Sequence, residues 1–166
     1  MLTEPTIVER AAEPYVAIKV HVAMDKLGAV VPPLNGEVFR WLAAHGITPA
    51  GAPFWKYNVI DMQRGFEIEA GVTVAQAIQG DERVIAGVLP AGRYVTRLHL
   101  GHPSSLMSAT AALLEWAAAH ALVWDVSPSP GGQRWGARLE IYLTDPQVEP
   151  DMRKWQTELV FRLADN

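Results

Sequence analysis

Glu140 and Tyr142 lie two residues apart in a segment whose residue types predict a β-strand. Aliphatic and aromatic residues alternate with polar ones in this segment, and Asp145-Pro146 ends it. Because successive side chains of a strand point to opposite faces, Arg138 shares a face with Glu140 and Tyr142. The opposite face is aliphatic and carries Leu139, Ile141 and Leu143. In an apolar cavity the pKa of a carboxyl rises, and the group can bind a cation or act as a general acid or base.

The strand pattern leaves the surroundings of these two side chains open. On a solvent-exposed face, Glu140 would pair with Arg138 or with a lysine of a neighbouring strand. In a groove, Glu140 would instead be the polar anchor of a ligand. Tyr142 would either donate a hydrogen bond to a ligand carbonyl or pack against a neighbouring strand.

Composition excludes several classes of function. The length of 166 residues fits one domain over residues 1–166, and 49% hydrophobic against 19% charged residues is typical of a globular fold. The net charge of −4 argues against nucleic acid as a partner, and no run of ~20 apolar residues predicts a membrane span. The chain has no cysteine, which excludes disulfides and thiolate sites, and its histidines show no metal-ligand spacing. We therefore expect no metal, no cofactor and a cytoplasmic location, because the first residues do not resemble a signal peptide.

The predicted elements occur in the same order twice, in a first unit of about residues 14–75 and a second of about residues 84–164. The first unit is predicted to contain a strand at Tyr15–Met24, a helix at Glu37–His45 and strands at Phe54–Ile60 and Phe66–Val74. The second contains an extended segment at Val84–Leu100, a helix that is capped by Ser104 or Ser105 and ends near Ala121, and strands at Arg138–Leu143 and Thr157–Leu163. This order predicts an α+β fold with two pseudo-twofold strand–helix–strand–strand units, whose antiparallel sheets form a ligand groove.

Other segments are predicted to be irregular or exposed. The glycines and prolines between Gly28 and Gly36 predict turns, and those between Ser127 and Gly132 predict a loop. Glu67 and Glu69 alternate with apolar residues on their strand and are expected to face water.

Five short segments, taken in order, are similar to a known family. They are Leu89-Pro90-Ala91-Gly92-Arg93-Tyr94, His99-Leu100-Gly101-His102-Pro103, Leu113-Leu114-Glu115-Trp116, the strand end from Glu140 to Pro146, and Thr157-Glu158-Leu159. With the element order, they resemble the GyrI-like small-molecule-binding domain, also called the AraC-type effector-binding domain, from about Tyr15 to Leu163. Two features differ from the usual pattern: His102 interrupts a Gly-Pro pair, and Thr110 replaces a common aromatic residue.

The resemblance implies that a groove between the two units binds drug-like organic molecules and that Glu140 points into it. Trp55 and Tyr57 share a face of the equivalent strand in the first unit. Pseudo-symmetry therefore places them opposite the face that carries Glu140, Tyr142 and Arg138.

Three further residues are candidates for contact with a ligand. Trp124 and Trp135 flank the loop before the Glu140 strand and are expected to close the groove. His99 lies two residues before Gly101 and either reaches the groove or lies exposed on its strand. Trp41 and Trp116 have helical core spacing and are assigned to packing.

Three functions are compatible with this resemblance. The first is binding of a hydrophobic, aromatic molecule, with cations among the candidates, around Glu140. The second is hydrolysis of electrophilic cyclopropane-containing toxins, with Glu140 as general base and Tyr142 as its catalytic neighbour. The third is interaction with gyrase or another macromolecule. Multidrug-responsive relatives carry a DNA-binding helix-turn-helix, and because the domain begins by residue 15 we expect no direct role in transcription. The predicted partner is a small molecule. The sequence gives no signal of oligomeric state.

Overall fold

The computed structural model describes residues 3–165, which form ten strands and three α-helices. The strands are β1 (Thr6–Arg10), β2 (Glu13–Val22), β3 (Phe54–Asp61), β4 (Gly65–Thr73), β5 (Ile85–Leu89), β6 (Gly92–Leu100), β7 (Val126–Ser129), β8 (Gly132–Trp135), β9 (Arg138–Tyr142) and β10 (Gln156–Arg162). The helices are α1 (Leu27–Val30), α2 (Pro32–Ala44) and α3 (Leu106–Ala119), and short 3₁₀ turns occur at Met24–Lys26, Pro103–Ser105 and Met152–Lys154. None of these helices is long and apolar enough to cross a membrane.

The ten strands form one antiparallel sheet, in which eight follow the order β1-β6-β10-β9-β3-β4-β2-β5 and the β7–β8 pair joins at β3. The order is pseudo-symmetric about its centre, because β2, β4 and β3 of the first unit match β6, β10 and β9 of the second. The two units join where β3 pairs with β9, and Trp55 there lies directly across from Glu140. The α+β fold with two pseudo-symmetric units is therefore as predicted.

The two long helices, α2 and α3, cover the same face of this sheet. Leu34, Val38 and Leu42 of α2 pack on β2 and β4, and Leu106 and Leu113 of α3 pack on the strands of the second unit. Each helix thus covers its own unit, and the central strands between them stay accessible on this face.

The opposite face of the sheet is buried as well, because the sheet curls. Val8 of β1 and Leu89 of β5, which are strands at opposite edges, belong to one apolar cluster with Phe54 and Leu139 from the centre. Side chains on this face therefore lie inside a half-barrel. The expectation that Glu69 faces water is wrong for this reason: Glu69 is 5% exposed, whereas Glu67 is partly exposed, with an ion-pair contact of 3.9 Å to Arg134.

Three local predictions are wrong. The turn-rich stretch before residue 37 is mostly helical, because Pro32 and Pro33 occupy the first positions of α2, where no backbone donor is needed. The loop predicted between Ser127 and Gly132 is the hairpin of β7 and β8, which adds to the edge of β3 beyond β9. The first edge strand, β1, was not predicted.

The N-terminus of α3 is capped differently from the prediction. The side chain of His102 accepts a hydrogen bond from the backbone N–H of Ser104 at 3.0 Å, and neither serine hydroxyl caps the helix. Ser105 Oγ instead donates to the carbonyl oxygen of His102 at 2.8 Å and is hydrogen-bonded to His99 Nε2 at 2.9 Å. This departure from the Gly-Pro pattern thus supplies the cap.

Candidate ligand-binding site

A cavity of about 1170 Å³ lies over the junction of β3 and β9, between the N-terminal halves of α2 and α3. The central strands form its floor through Trp55, Tyr57, Arg138, Glu140 and Tyr142. Its walls are largely apolar and come from both units; they include Leu27, Phe39, Ile60, Phe66, Leu106 and Trp155. A cavity of this size and character can hold a drug-sized organic molecule.

Glu140 is the acidic group on the floor, and two phenols hold its carboxylate. Tyr142 Oη donates to Glu140 Oε1 at 2.6 Å, and Tyr57 Oη donates to the same oxygen at 3.0 Å. Tyr57 is on β3 and Tyr142 is on β9, so each unit contributes one donor. The arrangement fixes the orientation of the carboxylate and leaves Oε2 without a protein hydrogen bond among residues 3–165.

The burial of this group controls its protonation. Desolvation raises the pKa of Glu140 above its ordinary value, and the hydrogen bonds from Tyr142 and Tyr57 and the charge of Arg138 oppose the rise only in part. Burial and the neighbouring carboxylate raise the pKa of both phenols well above 10, so Tyr57 and Tyr142 stay protonated donors at neutral pH. The site therefore combines a carboxyl that is easily protonated with two phenols that keep their protons.

Replacing Glu140 by glutamine is expected to stabilise the fold at neutral pH. Because the pKa of Glu140 is higher in the folded state than in the unfolded state, its contribution is fully present below the unfolded pKa of about 4.3 and is lost as the pH rises through the folded pKa. Glutamine avoids this loss and still accepts from both phenols. Urea denaturation across this pH range should give equal stabilities in acid and a more stable variant at neutral pH; Glu115→Gln, on the exposed side of α3, is the control. If the variant were no more stable than the parent at neutral pH, the cause given for the pKa shift would be contradicted.

Trp55 lies against the ring of Tyr142 and is held there by a residue on α2. Its ring meets that of Tyr142 edge to face, with the centroids 5.1 Å apart, and its Nε1 donates to Asn35 Oδ1 at 2.8 Å. Asn35 Nδ2 in turn donates to the carbonyl oxygens of Phe54 and Gly71, each at 3.3 Å. Asn35 thus ties the helix to two strands and fixes the indole, a role that sequence reasoning missed because it placed Asn35 in a turn.

Arg138 is the second charged group on the floor. Its guanidinium carbon lies 4.7 Å from the ring centroids of both Trp135 and Phe161. Burial lowers the pKa of Arg138 to about 10, against the attraction of Glu140, and the group keeps its charge at neutral pH.

The structure does not bring three of the predicted contact residues to the cavity. Trp124 and Trp135 pack with Phe161 beneath α3, with centroids 5.8 Å apart for each pair, so Trp135 supports Arg138 from behind instead of closing the groove. His99 does face the helices, but the turn that holds Ser105 covers it, and it is 4% exposed. In each case, the element that packs over the side chain determines whether it reaches the cavity. Strand alternation does not reveal that element.

Sequence reasoning also missed most of the cavity rim. Every methionine of the described residues lines the cavity: Met24, Met62, Met107 and Met152. They come from four separate turns or helix starts, so no periodic pattern connects them. Trp155, whose role the sequence left undecided, also lines the cavity, as does Thr110. Unbranched methionine side chains adapt to ligands of different shapes.

Within residues 3–165, His, Asp and Glu side chains nowhere gather in groups of three that could hold a metal ion. The titratable groups on the cavity floor are a carboxyl, two phenols and a guanidinium, and Asp145 adds a second carboxyl to the lining.

The family profile described as the GyrI-like small molecule binding domain matches residues 3–164. The chain belongs to the GyrI-like family. The match includes β1, which the sequence resemblance did not cover. No match was found among curated protein sequences.

Solved structures of three proteins have the GyrI-like fold of this chain. The EcmrR C-terminal domain has a TM-score of 0.74 and 19% identity, with 98% of each chain covered. SAV2435 bound to tetraphenylphosphonium has a TM-score of 0.62 and 11% identity, with 98% of this chain and 94% of the other covered. A hydrolase from Listeria innocua has a TM-score of 0.60 and 14% identity, with 97% and 92% covered. In the EcmrR–DNA complex the chain spans 58% of the EcmrR chain, so the likeness is to part of that protein.

Proposed function

We propose that this protein binds a hydrophobic, aromatic organic molecule in the cavity over the β3–β9 junction, with Glu140 as the polar anchor. The observation that carries the proposal is the position of a partly buried, phenol-held carboxylate on the floor of a cavity of about 1170 Å³ with apolar walls. Burying a carboxylate costs free energy unless a partner compensates, and fixed polar groups in an apolar pocket are typical of ligand sites.

An aromatic probe tests this proposal directly. SAV2435, a protein of the same fold, has been solved with tetraphenylphosphonium, which supports the choice of this cation. We expect saturable quenching of tryptophan fluorescence, because Trp55 and Trp155 line the cavity. Trp55→Leu should weaken binding about threefold to thirtyfold, since a cation–π contact contributes about 0.5–2 kcal/mol. Glu140→Gln should weaken it too, through loss of the negative charge.

The controls distinguish binding at this cavity from nonspecific binding to the protein surface. Glu115→Gln makes the same chemical change on the exposed side of α3 and should bind as the parent does. Quenching that never saturates, or that is unchanged in both cavity variants, would overturn the proposed site.

A second candidate function is hydrolysis of an electrophilic cyclopropane. The geometry that favours it is the position of Glu140: Tyr142 and Tyr57 orient the carboxylate through Oε1, and burial raises its pKa, as suits a general base. Glu140 would take a proton from water while the water oxygen bonds to a ring carbon, and the breaking ring bond would push its electrons onto a conjugated carbonyl. Protonation of the resulting enolate completes the addition of one water. The Listeria innocua hydrolase has the same fold, at an identity too low to transfer its activity.

Three expectations stay predictions from the sequence: the cytoplasmic location, the single-domain organisation over residues 1–166, and the interaction with gyrase or another macromolecule.

A further inference from the structure

The inference concerns Arg138, and it rests on the proposed function because it names the chemistry of the ligand. Arg138 is the cationic side chain on the floor of the cavity, one strand repeat from Glu140 on the same face of β9. Positions two apart on a strand are separated by about 6.6 Å. The floor thus carries two opposite charges side by side.

The part of the chain that the structure describes offers no acceptor to the guanidinium. Among residues 3–165 it forms no hydrogen bond, and no carboxylate lies within 4.0 Å of it. Its contacts are with the rings of Trp135 and Phe161, each centroid 4.7 Å away. The two centroids are themselves 5.8 Å apart, so both rings lie on one side of the guanidinium, and neither ring takes up its N–H groups as an oxygen acceptor would. The donors of Arg138 are therefore available to whatever occupies the cavity.

Arg138 is partly exposed, whereas a more deeply buried arginine of this chain has protein acceptors. Arg162, which is 8% exposed, donates to Asp125 Oδ2 at 2.8 Å and to the carbonyl oxygen of Ala91 at 2.7 Å. Buried polar groups in proteins are normally satisfied in this way. Two aromatic rings position Arg138 and the described residues supply no acceptor, which is the arrangement expected of a group that binds a ligand.

Glu140 supplies the complementary hydrogen-bond acceptor. Both phenols donate to Oε1, and Oε2 accepts no hydrogen bond from the described residues. The floor therefore presents a planar set of donors at Arg138 beside a free acceptor at Glu140.

We propose that the polar end of the ligand carries an oxygen acceptor bound by Arg138 next to an N–H or O–H donor bound by Glu140, as in an aromatic carboxamide. A ligand that carries only a cation would satisfy Glu140 but would be repelled by Arg138, and one that carries only an anion would have the reverse conflict. The cavity thus selects dipolar aromatic molecules over simple aromatic cations.

Three naphthalenes of nearly identical shape test this selection. Naphthalene-2-carboxamide has a donor and an acceptor, 2-naphthamidinium has donors only, and 2-naphthoate has acceptors only. Titration calorimetry of the full chain at neutral pH should give the tightest binding for the carboxamide. Arg138→Met, which keeps an adaptable side chain over the two rings, should weaken binding of the carboxamide and the naphthoate about tenfold and should not weaken the amidinium. Arg138→Lys, which keeps the charge but not the planar donors, should restore naphthoate binding more than carboxamide binding.

The outcomes separate this inference from the proposed function. Tighter binding of 2-naphthamidinium than of the carboxamide by the parent, or equal affinities of the parent and Arg138→Met for all three probes, overturns the role of Arg138 and leaves the cavity as a binding site. Binding of tetraphenylphosphonium without binding of any naphthalene also overturns it. Failure of every probe, tetraphenylphosphonium included, overturns the proposed function itself. Circular dichroism and thermal unfolding of both variants verify that they are folded.

Discussion

Replacing Lys56 by methionine is expected to lower the free energy of unfolding by about 3–5 kcal/mol, the typical effect of breaking a buried ion pair from one side. Lys56 Nζ lies 3.3 Å from Glu69 Oε2 and donates to Asn58 Oδ1 at 2.6 Å, inside the half-barrel. Tyr15 and Asn58 also donate to the Glu69 carboxylate, each at 2.6 Å. Removing the lysine leaves a carboxylate that is 5% exposed without its cation. Urea denaturation at neutral pH measures the loss.

Two variants control this prediction. Lys19 lies opposite Glu69 in the backbone register of β2 and β4, but its side chain is exposed. Lys19→Met should therefore change the free energy of unfolding by less than about 0.5 kcal/mol. Glu69→Gln in the Lys56→Met background should recover part of the loss, because the unpaired charge is gone. Equal stability of Lys56→Met and the parent would contradict the assignment, as would strictly additive effects of the two substitutions.

This polar cluster lies on the reverse side of the strand that forms half of the cavity floor. Lys56 and Asn58 alternate along β3 with Trp55 and Tyr57, which face the cavity. The β3–β4 register shifts between Tyr57 and Val59, so a bulge occurs at Asn58. After the bulge, Ile60 again faces the cavity, three positions from Tyr57. The cluster therefore holds the strand at the point where its bulge directs side chains into the site.

Strand alternation was sufficient to predict which side chains of the two central strands face the cavity. The face shared by Arg138, Glu140 and Tyr142 lines the cavity, and so does the face shared by Trp55 and Tyr57. These predictions succeed because both strands lie in the middle of the sheet, where neighbouring strands fix the orientation of every side chain. Only the backbone period is needed there.

Strand alternation does not predict the burial of a side chain where an element from another part of the chain packs over its strand. Glu69 has the pattern of an exposed residue, but the curling of the sheet closes the face on which it lies. Trp135 has the aromatic character of a pocket wall, but α3 packs over it. Curling and helix packing depend on contacts between distant segments, which a local pattern in one sequence does not contain.

If this chain is a hydrolase, Glu140→Gln is expected to lower its rate about 10²–10⁴-fold, the usual contribution of a positioned general base. The glutamine keeps the shape of the side chain and accepts from Tyr142 and Tyr57, so affinity for a neutral substrate should hardly change. A suitable substrate is an aromatic spirocyclopropyl dienone, in which a carbonyl is conjugated to the strained ring. Product formation is measured with the protein far below the substrate concentration, so that many turnovers are required.

The same assay separates the two candidate functions. A binder that reacts by chance stops at one equivalent of product or forms product no faster than buffer, whereas an enzyme continues, and its rate falls selectively in Glu140→Gln. Glu115→Gln, on the exposed side of α3, should retain the parent rate. Because the pKa of Glu140 is raised, the rate of an enzyme should also fall at acidic pH as the carboxyl gains its proton, starting at a higher pH than for an ordinary glutamate. A Glu140→Gln variant as fast as the parent, with a flat pH profile, would remove Glu140 from the reaction and leave ligand binding as the use of this cavity.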